Sequence, residues 1–141
     1  MKLLTTLILV AIFTTSCGSG NATPTAAGEP APAGEGLRLV TPAEAVDIQA
    51  NAPADLIVLD VRTPQEFAEG HLDNATMIDF YEPDFASQLA GLDPTQPYLL
   101  YCRSGNRSGQ TLTLMKDLGF TNVAEIDGGT NAWSAAGLPL S

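Results

Sequence analysis

Residues 98–108 read YLLYCRSGNRS, and this stretch predicts both the fold class and the place of a candidate site. The apolar run at 98–101 is short and uninterrupted, which is typical of a buried strand. Small and polar residues follow, and from Ser108 onward apolar residues recur at helical spacing. The stretch therefore predicts a strand, a tight loop and a helix, with Cys102 at the point where the strand ends.

On both sides of this stretch, short apolar runs alternate with capped helical segments. The sequences TPAE at 41–44 and TPQE at 63–66 each place Thr as N-cap, Pro at the first helical position and Glu at the third, a capping box. Further strands are predicted over 56–59, 75–78 and 123–126, and further helices over 84–92, capped by Asp84, and around Trp133. Strands joined by such helices predict an α/β three-layer sandwich, with a mostly parallel central sheet of about five strands and helices on both faces.

Polar side chains fall where three predicted strands end. Asp60, Cys102 and Asp127 occupy these positions, and the carboxyl ends of parallel strands share one edge of a sheet, where ligands bind. Asp60 is predicted either to pair with a loop arginine or to cap local amides. Arg62 and Glu66, four residues apart across a helix start, are predicted to form a structural ion pair.

The loop after Cys102 has the composition of an anion-binding cradle. A strand–loop–helix turn aims successive backbone N–H groups inward, and the helix N-terminus adds partial positive charge. Gly105 permits the positive φ that a tight turn requires, and Arg103 and Arg107 add two cations. These features predict a readily ionised, nucleophilic thiolate at Cys102. The alternative is an inert buried thiol at a strand end.

The N-terminal sequence predicts an exported protein. The apolar run at 3–13 follows Lys2 and is shorter than a membrane-spanning helix requires, so residues 1–16 are predicted to be a secretory signal peptide. The sequence TTSC at 14–17 resembles the lipobox of bacterial lipoproteins, although Thr14 stands where such boxes usually carry an aliphatic residue. This resemblance implies lipidation at Cys17, and ordinary signal cleavage nearby is the alternative.

The amino-acid composition changes near residue 36, and this change marks the boundary between a predicted linker and a predicted folded domain. Residues 17–36 contain no aromatic or large aliphatic side chain, which predicts the lipidated cysteine and a flexible Gly/Ala/Pro linker. Residues 37–141 are predicted to form the folded domain. The expected location is the cell envelope, with the domain anchored to a membrane by lipid alone and facing the periplasm or the exterior.

Charge and residue counts exclude several classes of function. Sixteen acidic and six basic residues give a net charge of −10, which argues against nucleic acid or an anionic membrane surface as an electrostatic partner. Two cysteines and one histidine, His71, are too few for a disulfide framework, and no metal site is predicted. His71 is expected to have a structural role.

Four motifs in order resemble a single-domain rhodanese over residues 39–140. They are LDVRTPQEF at 59–67, GHL at 70–72, CRSGNRS at 102–108 and DGG at 127–129, the last followed by Ala-Trp and Gly-Leu-Pro. The resemblance implies that Cys102 takes a sulfane sulfur from a donor such as thiosulfate and holds it as a persulfide. Cys102 then passes the sulfur to cyanide or a thiol.

The resemblance also assigns the surrounding residues. The substrate-binding loop would consist of Arg103, Ser104, Gly105, Asn106, Arg107 and Ser108. Asp60 and Arg62 would support it, and no metal or organic cofactor is implied. The partners expected are a small anionic sulfur donor, a thiol or cyanide acceptor, and in a variant of this function a protein sulfur donor or acceptor.

Two alternative functions stay open on the sequence. The first is a persulfide relay or protein-docking module with little turnover on small donors. The second is a cysteine phosphatase or arsenate reductase, whose related cradle has the pattern Cys-x5-Arg. In this chain the sixth position after Cys102 is Ser108 and the arginine comes one residue earlier, at Arg107. The shorter cradle suits a sulfur atom better than a tetrahedral phosphate.

Overall fold

The computed structural model describes residues 36–141 and holds one parallel sheet. The strands are β1 (Gly36–Val40), β2 (Ile57–Asp60), β3 (Ala75–Met77), β4 (Tyr98–Tyr101) and β5 (Asn122–Ile126). Their order across the sheet is β1-β5-β4-β2-β3, and every neighbouring pair is parallel. The predicted signal peptide over 1–16, the lipidation at Cys17 and the linker up to residue 35 lie outside the described residues.

Five helices alternate with the five strands along the chain and cover both faces of the sheet. They are α1 (Pro42–Asn51), α2 (Pro64–Ala68), α3 (Phe85–Ala90), α4 (Asn106–Asp117) and α5 (Gly129–Ala135). On one face, Leu100 of β4 packs in a buried cluster with residues of α3 and α4, including Leu89 and Met115. On the other face, Leu99 packs with residues of α1 and α5, including Trp133. The predicted α/β sandwich, with a parallel sheet and helices on both faces, is confirmed.

The position of β4 in the middle of the sheet explains its composition. All four of its residues are buried, because both faces are covered by helices and strands flank it on both sides. A strand buried on both faces reads as a continuous apolar run rather than an alternation. Cys102 follows β4 directly and therefore lies at the centre of the sheet's carboxyl edge.

The helix starts follow the sequence closely, with two informative differences. Both predicted capping boxes are present: Thr41 caps α1 with Glu44, and Thr63 caps α2 with Glu66. Asp84 lies at the N-cap of α3 but makes no side-chain cap bond. Helix α4 begins at Asn106 rather than at Ser108, because Gly105 adopts φ 90° and turns the chain into the helix earlier. Arg107 and Ser108 consequently lie in the first turn of α4.

None of the helices within residues 36–141 is long and apolar enough to cross a membrane.

Candidate active site

Cys102 lies at the carboxyl end of β4, fully buried and fixed by the start of α5. The Thr130 amide donates a hydrogen bond to the Cys102 carbonyl at 2.9 Å, and the Asn131 amide donates one to the Arg103 carbonyl at 3.0 Å. Gly129 makes this contact possible, since a Cβ there would lie 2.2 Å from the Cys102 carbonyl oxygen. The second glycine of the DGG motif thus lets α5 approach the backbone of Cys102 directly.

Hydrogen-bond donors converge on the Cys102 sulfur. The Gly105 amide donates to Sγ at 3.2 Å, and the Ser108 hydroxyl lies 3.4 Å from Sγ. The backbone amides of Ser104 and Ser108 also stabilise negative charge on the sulfur. The amides of Gly105 and Ser108 are free for this role because the amides of the N-cap and the first turn of an α-helix have no partner within the helix. The first backbone bond of α4 runs from the Gly109 amide to the Gly105 carbonyl.

This environment favours the thiolate. Burial raises the pKa of Cys102, but the bonds from the Ser108 side chain and from the Ser108, Ser104 and Gly105 amides outweigh burial, so the pKa lies below its ordinary value. An anion on Sγ, or on a sulfur atom bonded to it, would meet several preorganised donors in a site with little water. The arrangement is suited to a nucleophilic sulfur that carries negative charge.

Arg107 is held by an acidic residue from a different part of the chain. Its guanidinium donates two hydrogen bonds to Glu66, at 2.8 and 2.7 Å, and lies over the ring of Tyr81 at 5.6 Å from the ring centroid. The bonds from Arg107, helped by those from Thr63, lower the pKa of Glu66 to about 2 against the opposing effect of burial. Arg107 therefore faces the sulfur site with much of its charge already balanced.

This pairing corrects the predicted Arg62–Glu66 ion pair, which is wrong. Glu66 is the third residue of α2, and its carboxylate accepts from the Thr63 cap and from Arg107. Arg62 precedes the N-cap Thr63, and its side chain bonds to Asp60 at the end of β2 instead. The spacing along one helix misled the prediction because Arg62 lies outside the helix.

Asp60 and Arg62 form a separate buried pair. The two side chains bond at 2.6 to 3.0 Å, Asp60 also accepts from the Arg62 amide at 2.9 Å, and Arg62 donates to the Gly70 carbonyl at 2.8 Å. Of the two predicted roles of Asp60, pairing with a loop arginine is wrong and capping of local groups is what the structure shows. The pair joins the end of β2 to the segment after α2, and Arg62 lines the same cleft as Arg103.

The other loop side chains point outward. Arg103, Ser104 and Asn106 are exposed, and the Asn106 side chain accepts a hydrogen bond from Gln110 at 3.0 Å. Arg103 lines an open cleft of about 420 Å³ beside the loop, together with Glu66 and Asn131. This cleft adjoins the sulfur site and offers one exposed cation to an incoming anion.

His71 makes structural contacts, as its position in the GHL turn suggests. Its ring stacks on Phe67 with centroids 3.8 Å apart, and its Nδ1 lies 3.1 Å from the Phe67 carbonyl oxygen. Its backbone exchanges hydrogen bonds with Ser141. Within residues 36–141, no group of three or more His, Cys, Asp or Glu side chains is arranged to hold a metal ion.

Sequence reasoning missed a buried carboxyl group behind the loop. Glu125 of β5 is 2 % exposed, and its Oε1 lies 2.6 Å from the hydroxyl oxygen of Ser108. Burial raises its pKa, which the bond from Ser108 opposes and the charge of Asp127 reinforces. A signal was present, since Glu125 is the one charged residue in the otherwise apolar run of β5.

Comparisons with known proteins agree with this geometry. The family model of the Rhodanese-like domain matches residues 41–136. Thiosulfate sulfurtransferase GlpE of Pseudomonas entomophila is 33 % identical over 97 residues, which cover 69 % of this chain and 84 % of that protein. Chloroplastic thiosulfate sulfurtransferase 16 of Arabidopsis thaliana is 36 % identical over 91 residues, covering 57 % of this chain and 76 % of that protein.

A solved structure extends the agreement to three dimensions. The crystal structure of a rhodanese-related protein from Thermoplasma volcanium matches with a TM-score of 0.64 at 26 % identity, covering 74 % of this chain and 97 % of that chain. The family predicted from the four motifs is thereby confirmed. The chain belongs to the rhodanese-like domain family.

Proposed function

We propose that this protein is a sulfurtransferase that carries sulfane sulfur as a persulfide on Cys102. The observation that carries the proposal is the convergence of the Gly105 amide, the Ser108 hydroxyl and further loop amides on one buried Sγ. Relatives that are named thiosulfate sulfurtransferases, at 33 and 36 % identity, support the same reaction class.

The first half-reaction loads the sulfur. The Cys102 thiolate attacks the sulfane sulfur of a donor such as thiosulfate, and a new S–S bond forms at Sγ. The bond between that sulfur and the sulfonate group breaks, and sulfite leaves with the electron pair. The charge moves outward by one sulfur atom, where the loop amides can stabilise it.

The second half-reaction returns the enzyme to its starting state. An acceptor such as cyanide or a thiolate attacks the outer sulfur, the S–S bond of the persulfide breaks, and Cys102 leaves as the thiolate. With cyanide the product is thiocyanate. Both halves balance in charge and atoms without a metal, an electron carrier or an external base.

The position of Arg107 argues against the phosphatase alternative. A cradle for phosphate needs a guanidinium that is free to bind the phosphate oxygens in a bidentate manner. Here the guanidinium of Arg107 is bidentate to Glu66, and the sixth position after Cys102 carries the hydroxyl of Ser108, which faces Sγ.

The same salt bridge favours a second candidate, a persulfide relay that receives its sulfur from a protein. Glu66 balances Arg107, and the net charge of −10 repels a dianion such as thiosulfate at long range. A persulfide carried by a partner protein would be held by contacts between the two protein surfaces, so its binding would not depend on the positive charge of Arg107. High turnover with thiosulfate alone would reject the relay.

We also propose that the domain works in the cell envelope, held to a membrane by a lipid on Cys17. This rests on the signal-like segment at 1–16 and the lipobox-like sequence that ends at Cys17. Labelled palmitate fed to an expressing bacterium should enter the wild-type protein and not the Cys17→Ser variant. Equal labelling of the two would contradict the anchor.

The proposed reaction is tested by thiocyanate production from thiosulfate and cyanide. We expect turnover from the wild type and from Cys17→Ser, and none above background from Cys102→Ser, which replaces the nucleophile with a nearly isosteric hydroxyl. Turnover by Cys102→Ser at the wild-type rate would refute Cys102 as the sulfur carrier.

A further inference from the structure

Glu125 is a carboxyl group buried behind the active-site loop, where the sulfur-transfer mechanism does not use it. It lies on β5 opposite Leu100 of β4, so its side chain enters the apolar cluster beneath the first turn of α4. A Cβ on Gly109 would come within 3.7 Å of its Oε1. Burying a carboxyl group among apolar side chains costs folding free energy unless a hydrogen bond or ion pair compensates for the lost contact with water.

That contact is Ser108, whose single hydroxyl proton has two competing acceptors. The hydroxyl oxygen lies 2.6 Å from Glu125 Oε1 and 3.4 Å from Cys102 Sγ. A serine hydroxyl donates one hydrogen bond and accepts others, so it can donate to the carboxylate or to the sulfur but not to both.

We propose that Glu125 is a positioning residue that sets the acidity of Cys102 through Ser108. Ionised Glu125 competes for the Ser108 proton and weakens the bond from the Ser108 hydroxyl to Sγ. Protonated Glu125 donates its own proton to the Ser108 oxygen, and the Ser108 hydroxyl then donates to Sγ. The inference rests on the proposed function only in taking Cys102 as the nucleophile.

The charges around the pair are consistent with this coupling. Arg107 acts on Cys102 from the first turn of α4, Asp127 follows β5 and acts on Glu125, and β1 places the apolar Leu39 opposite Glu125. Burial and Asp127 raise the pKa of Glu125, while the loop donors lower that of Cys102. The two groups therefore titrate closer together than a free carboxyl and a free thiol do.

The consequence is a shallow pH profile for Cys102. As the pH falls, Glu125 takes up a proton and its negative charge beside the thiolate disappears. The Ser108 hydroxyl then donates to Sγ, so Cys102 remains a thiolate to a lower pH than it would beside an ionised Glu125. The two hydrogen bonds keep Glu125 Oε1 within about 6 Å of Sγ, and at that distance Coulomb's law with an effective dielectric of about 20 gives a coupling of about 100-fold in the proton affinity of the sulfur.

The test follows the reactivity of Cys102 toward iodoacetamide as a function of pH in the full chain carrying Cys17→Ser. In Glu125→Gln, the amide cannot ionise and can donate to Ser108 at every pH. We expect the pKa of Cys102 to fall in this variant, its alkylation at neutral pH to rise by up to about 100-fold, and the profile to become a single steep step.

A matched control is Glu82→Gln, the same chemical change on an exposed turn, which should leave the profile unchanged. A Glu125→Gln profile that superposes on the wild type, or a raised Cys102 pKa, would overturn the proposal. A merely structural role of Glu125 predicts lower stability and, through more frequent opening of the buried site, faster alkylation at every pH with no shift in the pKa of Cys102.

A second measurement needs no variant at Glu125. In the same protein labelled with ¹³C at the glutamate carboxyls, one resonance should titrate in two steps while Cys102 is free. That resonance should titrate in one step after methyl methanethiosulfonate has blocked the thiol, since coupling between two sites is reciprocal. If every glutamate titrates identically before and after the block, the coupling is absent. Both measurements read protonation rather than sulfur transfer, so their failure is distinct from failure of the proposed function.

Discussion

The salt bridge between Glu66 and Arg107 joins α2 to the active-site loop across 41 positions of sequence. We therefore predict that Glu66→Gln, which removes this ion pair, lowers the free energy of unfolding. The Glu66→Gln substitution keeps an oxygen that can accept the bonds from the Thr63 cap, and it turns an amide group toward Arg107. The capping box is thereby preserved while the ion pair is lost.

The magnitude follows from the pKa of Glu66. The bonds from Arg107 are the largest influence, and the pKa falls from 4.5 to about 2. That difference corresponds to a limit of about 3 kcal/mol. The carboxylate and the guanidinium are 20 and 12 % exposed, so solvent screening and the retained Thr63 bonds reduce the expected loss in Glu66→Gln to about 1–2 kcal/mol.

Urea denaturation followed by tryptophan fluorescence measures this loss, because the chain's single tryptophan, Trp133, is a buried residue of α5. The difference between wild type and variant should be constant above pH 4.5 and should vanish as the pH falls through about 2, since Glu66 is more acidic in the folded state than in the unfolded chain. Freed from Glu66, Arg107 should also lower the KM for thiosulfate. An unchanged free energy of unfolding, or the same loss in the exposed control Glu82→Gln, would refute the reasoning.

Three further predictions concern single residues. Arg107→Ala should raise the KM for thiosulfate and leave Glu66 unpaired, and wild-type steady-state kinetics would show that Arg107 has no part in the site. Gly129→Ala should lower the midpoint of thermal unfolding and reduce turnover, because its Cβ would lie 2.2 Å from the Cys102 carbonyl oxygen; an unchanged midpoint would contradict that close approach. Asp60→Ala should cost about 3–5 kcal/mol of folding free energy in urea titrations, because it leaves the guanidinium of Arg62 buried without its partner, whereas a loss below ~1 kcal/mol would mean that Arg62 finds water.

The fold and the nucleophile could be predicted because they depend on local signals. Continuous apolar runs identify strands buried on both faces, and Thr-Pro-x-Glu identifies two helix starts to the residue. Cys102 could be placed because a loop that follows a central parallel strand must lie at the carboxyl edge of the sheet.

The partners of the charged residues could not be predicted in the same way. Glu66 has Arg62 four positions away and Arg107 far along the chain, and only the docking of α2 against the loop selects between them. Glu125 shows the same limit, because its role depends on which face of β5 meets the first turn of α4. Spacing along the chain identifies neighbours within one helix, whereas contacts between elements follow from packing.

Persulfide formation on Cys102 is tested most directly by the intact mass of the chain carrying Cys17→Ser, in which Cys102 is the only thiol. The protein is measured after exposure to thiosulfate and again after cyanide is added. We expect a gain of one sulfur atom, its loss with the release of thiocyanate, and neither change in a protein that also carries Cys102→Ser. If the Cys17→Ser chain gains no sulfur either from thiosulfate or from a protein persulfide, Cys102 is not a carrier of sulfane sulfur.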